Sequence, residues 1–429
     1  MVQLSDDSVH GQMLRVEDAI EHLGQLLTAT CAQRADEHLL PIDADNRVIA
    51  QDIAAQVNVP AYENSAVDGY AFAHASLDQA TASTTLRLRG DAEFAGQEAG
   101  TTVAAGQAVQ ITTGAAMPPG TDTVCMFEDV LDQQTDTLTL PSALKVGDNV
   151  RPEGEDFAAG EPILQTGMRF DPIQLAALIA TGHGTAPLAV RPKVRILVCS
   201  TGDELGHKAR ESVLDANGPM LTSFLKHRWQ FDAALHTAVL PDDEAAVAAF
   251  FAEQTPKWDV IITTGAVSTG DRDFMRSGFQ RAGGTLGYWR VAIKPGRPIA
   301  VGTLGQAVWI GLPGNPVAAL VTLLLIALPA LRMANGEPAA TAYDRQWVQL
   351  THALRKKKSR TEYTRVQITR SDGPEHVGDI AKAARVNKIG AGMISSLLYA
   401  DGLAELGYGD DQIEDGTILS YIPWEQFGL

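Results

Sequence analysis

Between residues 192 and 335 short continuous apolar runs alternate with amphipathic stretches, and few folds accept that order. Val194–Cys199 is an unbroken apolar run, suited to a strand buried on both faces. The spacing then predicts a helix over about 217–229, a strand over 234–240, a helix over 243–254 and a strand over Asp259–Thr264. A helix over about 273–282, strands near 286–293, 299–302 and 307–312, and a long apolar helix from Asn315 complete the series. Strands alternating with helices predict a parallel, doubly wound α/β sheet. Val317–Leu331 is the most apolar stretch, yet it falls short of the roughly 20 residues a bilayer span needs and contains Pro329. It therefore reads as a buried helix.

The flanks have a different character. Residues 15–32 carry Val16, Ala19, Ile20, Leu23 and Leu27 at helical spacing. From about 45 to 148, β-branched runs such as Thr85–Arg89, Ala108–Thr112 and Thr137–Leu140 alternate with Gly/Pro turns, which predicts a β-rich module. A Gly-punctuated connector over 149–183 ends in a helix at Pro172–Thr181. Matching pieces on either side of the β module suggest that it is inserted into a discontinuous domain. The tail from about 340 returns to strand-like runs at Trp347–His352, Glu362–Thr369 and Thr417–Ile422, fitting a small barrel or sandwich.

Composition excludes several functions. The 34 Lys and Arg against 52 Asp and Glu leave a net charge of −18, so a nucleic-acid-binding surface is not expected. Cys31, Cys125 and Cys199 form no CxxC pair, which argues against a zinc ribbon or a disulfide framework and fits a reducing cytoplasm. The start, MVQLSDDSVHG, lacks a basic segment leading into an apolar run, so no signal peptide is expected, nor any membrane partner. There is no HExxH pair and no Walker A loop.

In an open α/β sheet ligands bind beyond the carboxyl ends of the strands. The loops expected there are Ser200-Thr201-Gly202-Asp203-Glu204, Pro241-Asp242-Asp243, the run from Thr264 and Gly265 through Ser268 to Asp273, and Leu312-Pro313-Gly314-Asn315-Pro316. Each alone also reads as turn and cap chemistry. Together they offer backbone N–H and hydroxyl donors to phosphate. Carboxylates beside a phosphate need a bridging cation, which makes Glu204, Asp242 and Asp273 candidate Mg²⁺ ligands. Lys294-Pro295-Gly296-Arg297, with Arg290 four residues before Lys294, is a basic cluster suited to an oxyanion or to a solvated turn. Arg355–Arg365 is a second basic run, and its reading as a solvated loop stays open.

These residues are part of a larger pattern. SAVDGYA at 65–71, TTGAAMPPGTD at 112–122, GEDF at 154–157, STGDEL at 200–205, DAN at 215–217, GAVSTGDRD at 265–273, VAIKPGRP at 291–298 and GLPGNP at 311–316 follow one another along the whole chain. In that set the chain resembles the molybdopterin molybdenumtransferase family, related to the C-terminal domain of gephyrin. The resemblance implies a multidomain α/β plus β fold: a doubly wound α/β domain with an inserted β-rich module, an elongated linking domain and a C-terminal β barrel. It divides the chain into a discontinuous domain at 1–48 and 149–183, the β module at 49–148, the α/β domain at 184–336 and the barrel at 337–429. It also implies a homodimer whose active site is shared across subunits.

By that resemblance, adenylylated molybdopterin and molybdate are the substrates, AMP is released and Mg²⁺ is required. Asp68, Thr113, Asp156, Glu204, Asp242, Asp273, Arg290, Lys294, Arg297 and Arg360 are the residues it carries over. The pterin and phosphates are expected across Ser200, Thr201, Gly202, Gly265, Ser268, Pro313, Gly314 and Asn315, with molybdate held by the cations. Val67 and Ala266 stand where the family has Met and a second Gly. Ala318 and Ala391 stand where it has Ser, and both of those hydroxyls are associated with molybdate, so weaker oxyanion binding is expected here. Two rival readings are adenylylation of molybdopterin and a cofactor-binding scaffold that has lost metal insertion.

Overall fold

The computed structural model describes residues 13–32, 34–205, 213–265, 274–338, 343–369, 380–388 and 390–429. Its centre is a six-stranded sheet in the order Asp232–Leu235, Arg195–Ser200, Val260–Thr264, Ala307–Leu312, Pro298–Leu304, Thr285–Arg290. The first four strands are parallel. Pro298–Leu304 runs antiparallel to both its neighbours, Ala307–Leu312 and Thr285–Arg290, which departs from the all-parallel expectation. The reason lies in chain length: only Gly305 and Gln306 separate Pro298–Leu304 from Ala307–Leu312, and a parallel crossover needs a dozen residues or more.

Helices cover both faces of this sheet. Asn217–Ser223, Glu244–Gln254 and Phe274–Arg281 fall where the periodicity puts them. Asp243 caps the second, accepting a hydrogen bond from the backbone N–H of Ala246 at 2.7 Å. The apolar stretch forms Pro316–Thr322, a widened turn over Leu323–Ala327, and Leu328–Ala334. Pro329 has no N–H for the carbonyl of Leu325, and the widened turn lies just before it. Although long and apolar enough to cross a membrane, this helix is buried in the α/β core. Helix Val16–Cys31 closes that core, packing on Leu328–Ala334 so tightly that a Cβ at Gly24 would sit 2.7 Å from Met333 Cε. Burial pushes the Cys199 thiol up to about 12, and all three cysteines are free.

The β module is a six-stranded sheet in the order Thr123–Met126, Gly69–Phe72, Gln107–Ile111, Ser83–Glu93, Thr137–Pro141, Asp132–Gln133. Tyr70 and Phe72 enter one apolar cluster and Ala71 the other, so its central strand is covered on both faces. The chain enters and leaves the module beside itself: Ile53–Ala54 pairs with Pro162–Leu164, and Asn64–Ser65 with Val150–Arg151.

In the C-terminal region Thr361–Thr369, Ala381–Arg385, Gln346–Leu350, Ile418–Pro423 and Gly402–Leu406 pair in a ring that closes back on Thr361–Thr369. Closure removes the sheet edges, and the expected β element is therefore a barrel rather than a sandwich. The strands Ala381–Arg385 and Gly402–Leu406 are not apparent in the sequence pattern, being short and rich in Ala and Gly.

Glu337, its side chain 3% exposed, joins the connector to the α/β domain by accepting from Arg169 Nη2 and from Arg332 Nε, the latter at 2.9 Å. Both guanidinium groups lie over the Trp229 ring. Removing one partner from a buried ion pair costs about 3–5 kcal/mol. Glu337→Ala is expected to lower unfolding free energy by about 3 kcal/mol, measured by chemical denaturation; a loss below about 1 kcal/mol would show that the cluster is not a stabilising link.

Candidate functional site

The loops at the carboxyl ends of the parallel strands converge through glycines. Gly202 has φ 125° and Gly265 φ 97°, conformations that disfavour a side chain. A Cβ at Gly265 would meet the Thr201 carbonyl oxygen at 2.5 Å, and one at Gly314 would lie 3.3 Å from Gly265 Cα. Three of the four expected loops are thus packed backbone against backbone. Thr201 is buried and donates its hydroxyl to the Thr264 carbonyl at 3.1 Å, while the Thr264 hydroxyl lies 3.4 Å from Ser200 Oγ. Asn217 donates to the Gly314 carbonyl at 2.7 Å, and its own Oδ1 is buried without a partner.

The acidic candidates are partly assembled. Asp242 and Glu204 are both exposed. Their loops are joined by the Asp242 N–H, which donates to Asp203 Oδ1 at 3.2 Å, and the Glu204 carboxylate folds over Gly202. Asp273 and Ser268 lie outside the described residues. Among the described residues no three His, Cys, Asp or Glu side chains form a metal-type cluster.

A separate cavity of about 250 Å³ adjoins the fourth loop. Its walls include Lys294, Arg297, Pro313, Asn315, Ala318, Arg360, Glu362, Arg365 and Ala391. Arg290 is absent from them; its carbonyl accepts from the Leu14 N–H. The cavity lies at a seam, where Ile293–Lys294 pairs in parallel with Thr361–Glu362 of the barrel. That register sets Lys294 beside Glu362, and Nζ donates to Oε1 at 2.8 Å. Gly296, at φ 103°, lets the same segment press on helix Pro316–Thr322, where a Cβ would meet Thr322 Cγ2 at 2.1 Å. From the other side the Ala391 carbonyl accepts from the Val317 N–H at 3.1 Å, holding the 390s loop against that helix.

Four cations and one carboxylate face this space, a positive site in a chain of charge −18. Arg360 Nε and Arg365 Nε are buried donors without partners. Burial holds the Arg365 guanidinium below its usual pKa, yet guanidinium remains charged in proteins. Buried cationic donors left unsatisfied call for an anion. At about 250 Å³ the cavity has ample room for a compact oxyanion.

Sequence reasoning found Lys294, Arg297, Pro313, Asn315 and Arg360 and missed Glu362 and Arg365. The signal was the strand Thr361–Thr369 itself, whose first six residues are buried without alternation. Such a strand is covered on both faces, which excludes a solvated loop for the second half of the basic run.

The remaining candidates sit in the β module and its connector. Asp68 Oδ1 accepts from the Thr113 N–H at 2.7 Å and the Thr113 hydroxyl at 2.8 Å, and these two bonds, the backbone one first, hold its carboxyl below the usual range. Asp156 is exposed, with its N–H donating to the Val59 carbonyl. Among the described residues no hydrogen bond or ion pair joins Asp68 or Asp156 to the α/β loops.

Fold and cavity together define a multidomain α/β protein with a cationic pocket at a domain seam. Residues 14–182 match the MoeA N-terminal region (domain I and II), 197–333 a probable molybdopterin binding domain, and 348–424 the MoeA C-terminal region (domain IV). The chain is 34% identical over 319 residues to the molybdopterin molybdenumtransferase of Haemophilus influenzae, covering 74% of this chain and 75% of that one. It is 32% identical over 340 residues to molybdopterin molybdenumtransferase 2 of Mycobacterium tuberculosis, covering 77% and 82%. The molybdopterin biosynthesis MoeA protein of Pyrococcus horikoshii has the same fold, with a TM-score of 0.77 at 23% identity over 96% of this chain and all of that one. The chain belongs to the molybdopterin molybdenumtransferase family, and its place is in molybdenum cofactor biosynthesis as a transferase.

Two expectations follow from the geometry. Thr113→Val removes one of the two bonds to Asp68, so the Asp68 carboxyl should titrate at higher pH by NMR; an unmoved titration would mean the hydroxyl does not act on it. Gly296→Ala forces a strained φ and a clash with Thr322, and should cost about 1–3 kcal/mol in denaturation. Unchanged stability would show that the seam relaxes freely.

Proposed function

We propose that this protein inserts molybdenum from molybdate into adenylylated molybdopterin with release of AMP. The observation that supports it most is the cationic cavity beside the Pro313-Gly314-Asn315 loop. That loop joins the strand-end loops, where backbone N–H groups suit phosphates, to a cavity lined by four cationic side chains. Lys294, Arg297, Arg360 and Arg365 hold molybdate by charge, and the pterin dithiolene lies across the glycine loops. Bringing the oxyanion to the dithiolene is catalysis by proximity, for which no covalent nucleophile is needed.

Glu204, Asp242 and Asp273 are proposed to hold Mg²⁺, their oxygen donors fitting a hard cation. When bound, the cation would neutralise phosphate charge and polarise the adenylate phosphoanhydride. The joined Asp203 and Asp242 loops favour this placement.

A homodimer with a shared site is also proposed. Asp68 and Thr113 are paired and solvent-facing, away from the α/β loops of their own chain, and Leu40, Ile42, Ile173 and Ile179 are exposed around the Pro172–Ala180 helix. A cytoplasmic setting fits three free cysteines.

AMP release from adenylylated molybdopterin should depend on molybdate. Release that ignores molybdate would refute coupled insertion, and ATP consumption without molybdate would favour the adenylylation reading. Ala318 and Ala391 both line the cavity, so Ala318→Ser with Ala391→Ser should lower the half-saturating molybdate concentration about tenfold or more. An unchanged value would show that these positions do not limit binding. Light scattering should report twice the chain mass; a monomer alone would refute the shared site.

A further inference from the structure

Arg360 enters the cavity from the end of a lysine-rich turn, and one side chain closes that turn. Residues 356–360 are anchored at both ends. The Lys356 N–H donates to the Asp411 carbonyl at 3.0 Å, and the N–H of Thr361, next after Arg360, donates to the Ala292 carbonyl at 2.9 Å. Midway, the Gly409 N–H donates to the Lys358 carbonyl at 2.9 Å. Across the mouth of the turn the Lys356 ammonium donates to the Arg360 carbonyl at 2.9 Å and to the Lys357 carbonyl at 3.2 Å. Arg360 is among the cavity walls and Lys356 is not. Burial lowers the pKa of Lys356 against the opposing pull of Asp410 and Glu362, so its ammonium is drawn partly out of water where it makes these bonds. Lys358, in the same turn, is exposed and pairs with Asp411 at 3.2 Å.

We infer that Lys356 is a positioning residue for oxyanion binding: by clasping the Arg360 carbonyl it fixes the backbone from which the Arg360 guanidinium enters the cavity. This rests on the reading of the cavity as the oxyanion site. A guanidinium that must find its place on binding gives up backbone and rotamer freedom, and that cost is subtracted from affinity. The clasp settles the backbone part beforehand. It acts on the binding of the anion rather than on the chemical step. Its removal therefore raises the half-saturating molybdate concentration for AMP release and leaves the rate at saturating molybdate nearly unchanged.

A double-mutant cycle tests this, read by calorimetric titration of the whole protein with molybdate at fixed ionic strength. Lys356→Met should weaken binding about threefold or more, and Arg360→Ala about tenfold or more. The double variant should bind within about twofold of Arg360→Ala, because the clasp then has no guanidinium to place. Lys357→Met takes the same charge from the turn and keeps the clasp, so it should bind like the unchanged protein. Three results would overturn the inference: full affinity in Lys356→Met, a further loss when Lys356→Met is added to Arg360→Ala, or an equal loss in Lys357→Met. The second would mean that the lysine charge acts on the anion directly. Should Lys356→Met not fold, Lys356→Gln, whose amide stops one atom short of the ammonium, carries the same cycle with the same outcomes. If molybdate does not bind the unchanged protein, or Arg360→Ala leaves its affinity unaltered, the oxyanion reading falls and this inference with it. If Arg360→Ala weakens binding and Lys356→Met does not, only this inference falls.

Discussion

A two-residue parallel pairing, Ile293–Lys294 with Thr361–Glu362, sets the seam at which the cationic cavity lies. It ties a connecting segment of the α/β sheet to the barrel, with the Thr361 N–H donating to the Ala292 carbonyl at 2.9 Å. The cavity exists because these two domains meet there. Without the pairing, Lys294 would belong to a solvated turn and Glu362 to an exposed strand end. With it, a lysine and a carboxylate face each other in a partly enclosed space, where charge interactions are stronger than in water.

Two further contacts lie beside the pairing. Gly296 lets the backbone approach helix Pro316–Thr322 more closely than any side chain allows. The Ala391 carbonyl secures the start of that helix from the barrel side. The helix behind them is almost wholly apolar and buried, so it is a rigid floor for the pocket. Rigid packing holds the cavity's side chains at fixed spacing, which lowers the ordering cost of binding any ligand there.

The electrostatic design is local. A chain of charge −18 repels anions at long range, but screening limits that repulsion to about 8–10 Å at ordinary salt. Inside the cavity four cations outnumber one carboxylate, and two guanidinium Nε groups lack protein partners. On the β module, Asp68 is kept ionised by donors from Thr113. The Asp68–Thr113 pair and the cationic cavity thus lie in different modules of the fold.

The order of strands and helices was legible from the sequence because burial on two faces leaves continuous apolar runs, and burial on one leaves helical spacing. The loops at the strand ends were legible too, since Gly202, Gly265 and Gly314 mark close backbone approach. The antiparallel turn of the sheet edge was readable in principle from the two-residue link at Gly305, but periodicity alone does not report strand direction. Barrel closure, the seam and the roles of Glu362 and Arg365 depended on pairings between residues about 70 positions apart, such as Lys294 with Glu362. Local pattern carries no record of such distances: a basic run reads alike whether it lies in water or against another domain. The sequence by itself determined which elements form and where the chain bends. Only the tertiary structure decided which charges face one another, because that follows from how two separately formed domains meet.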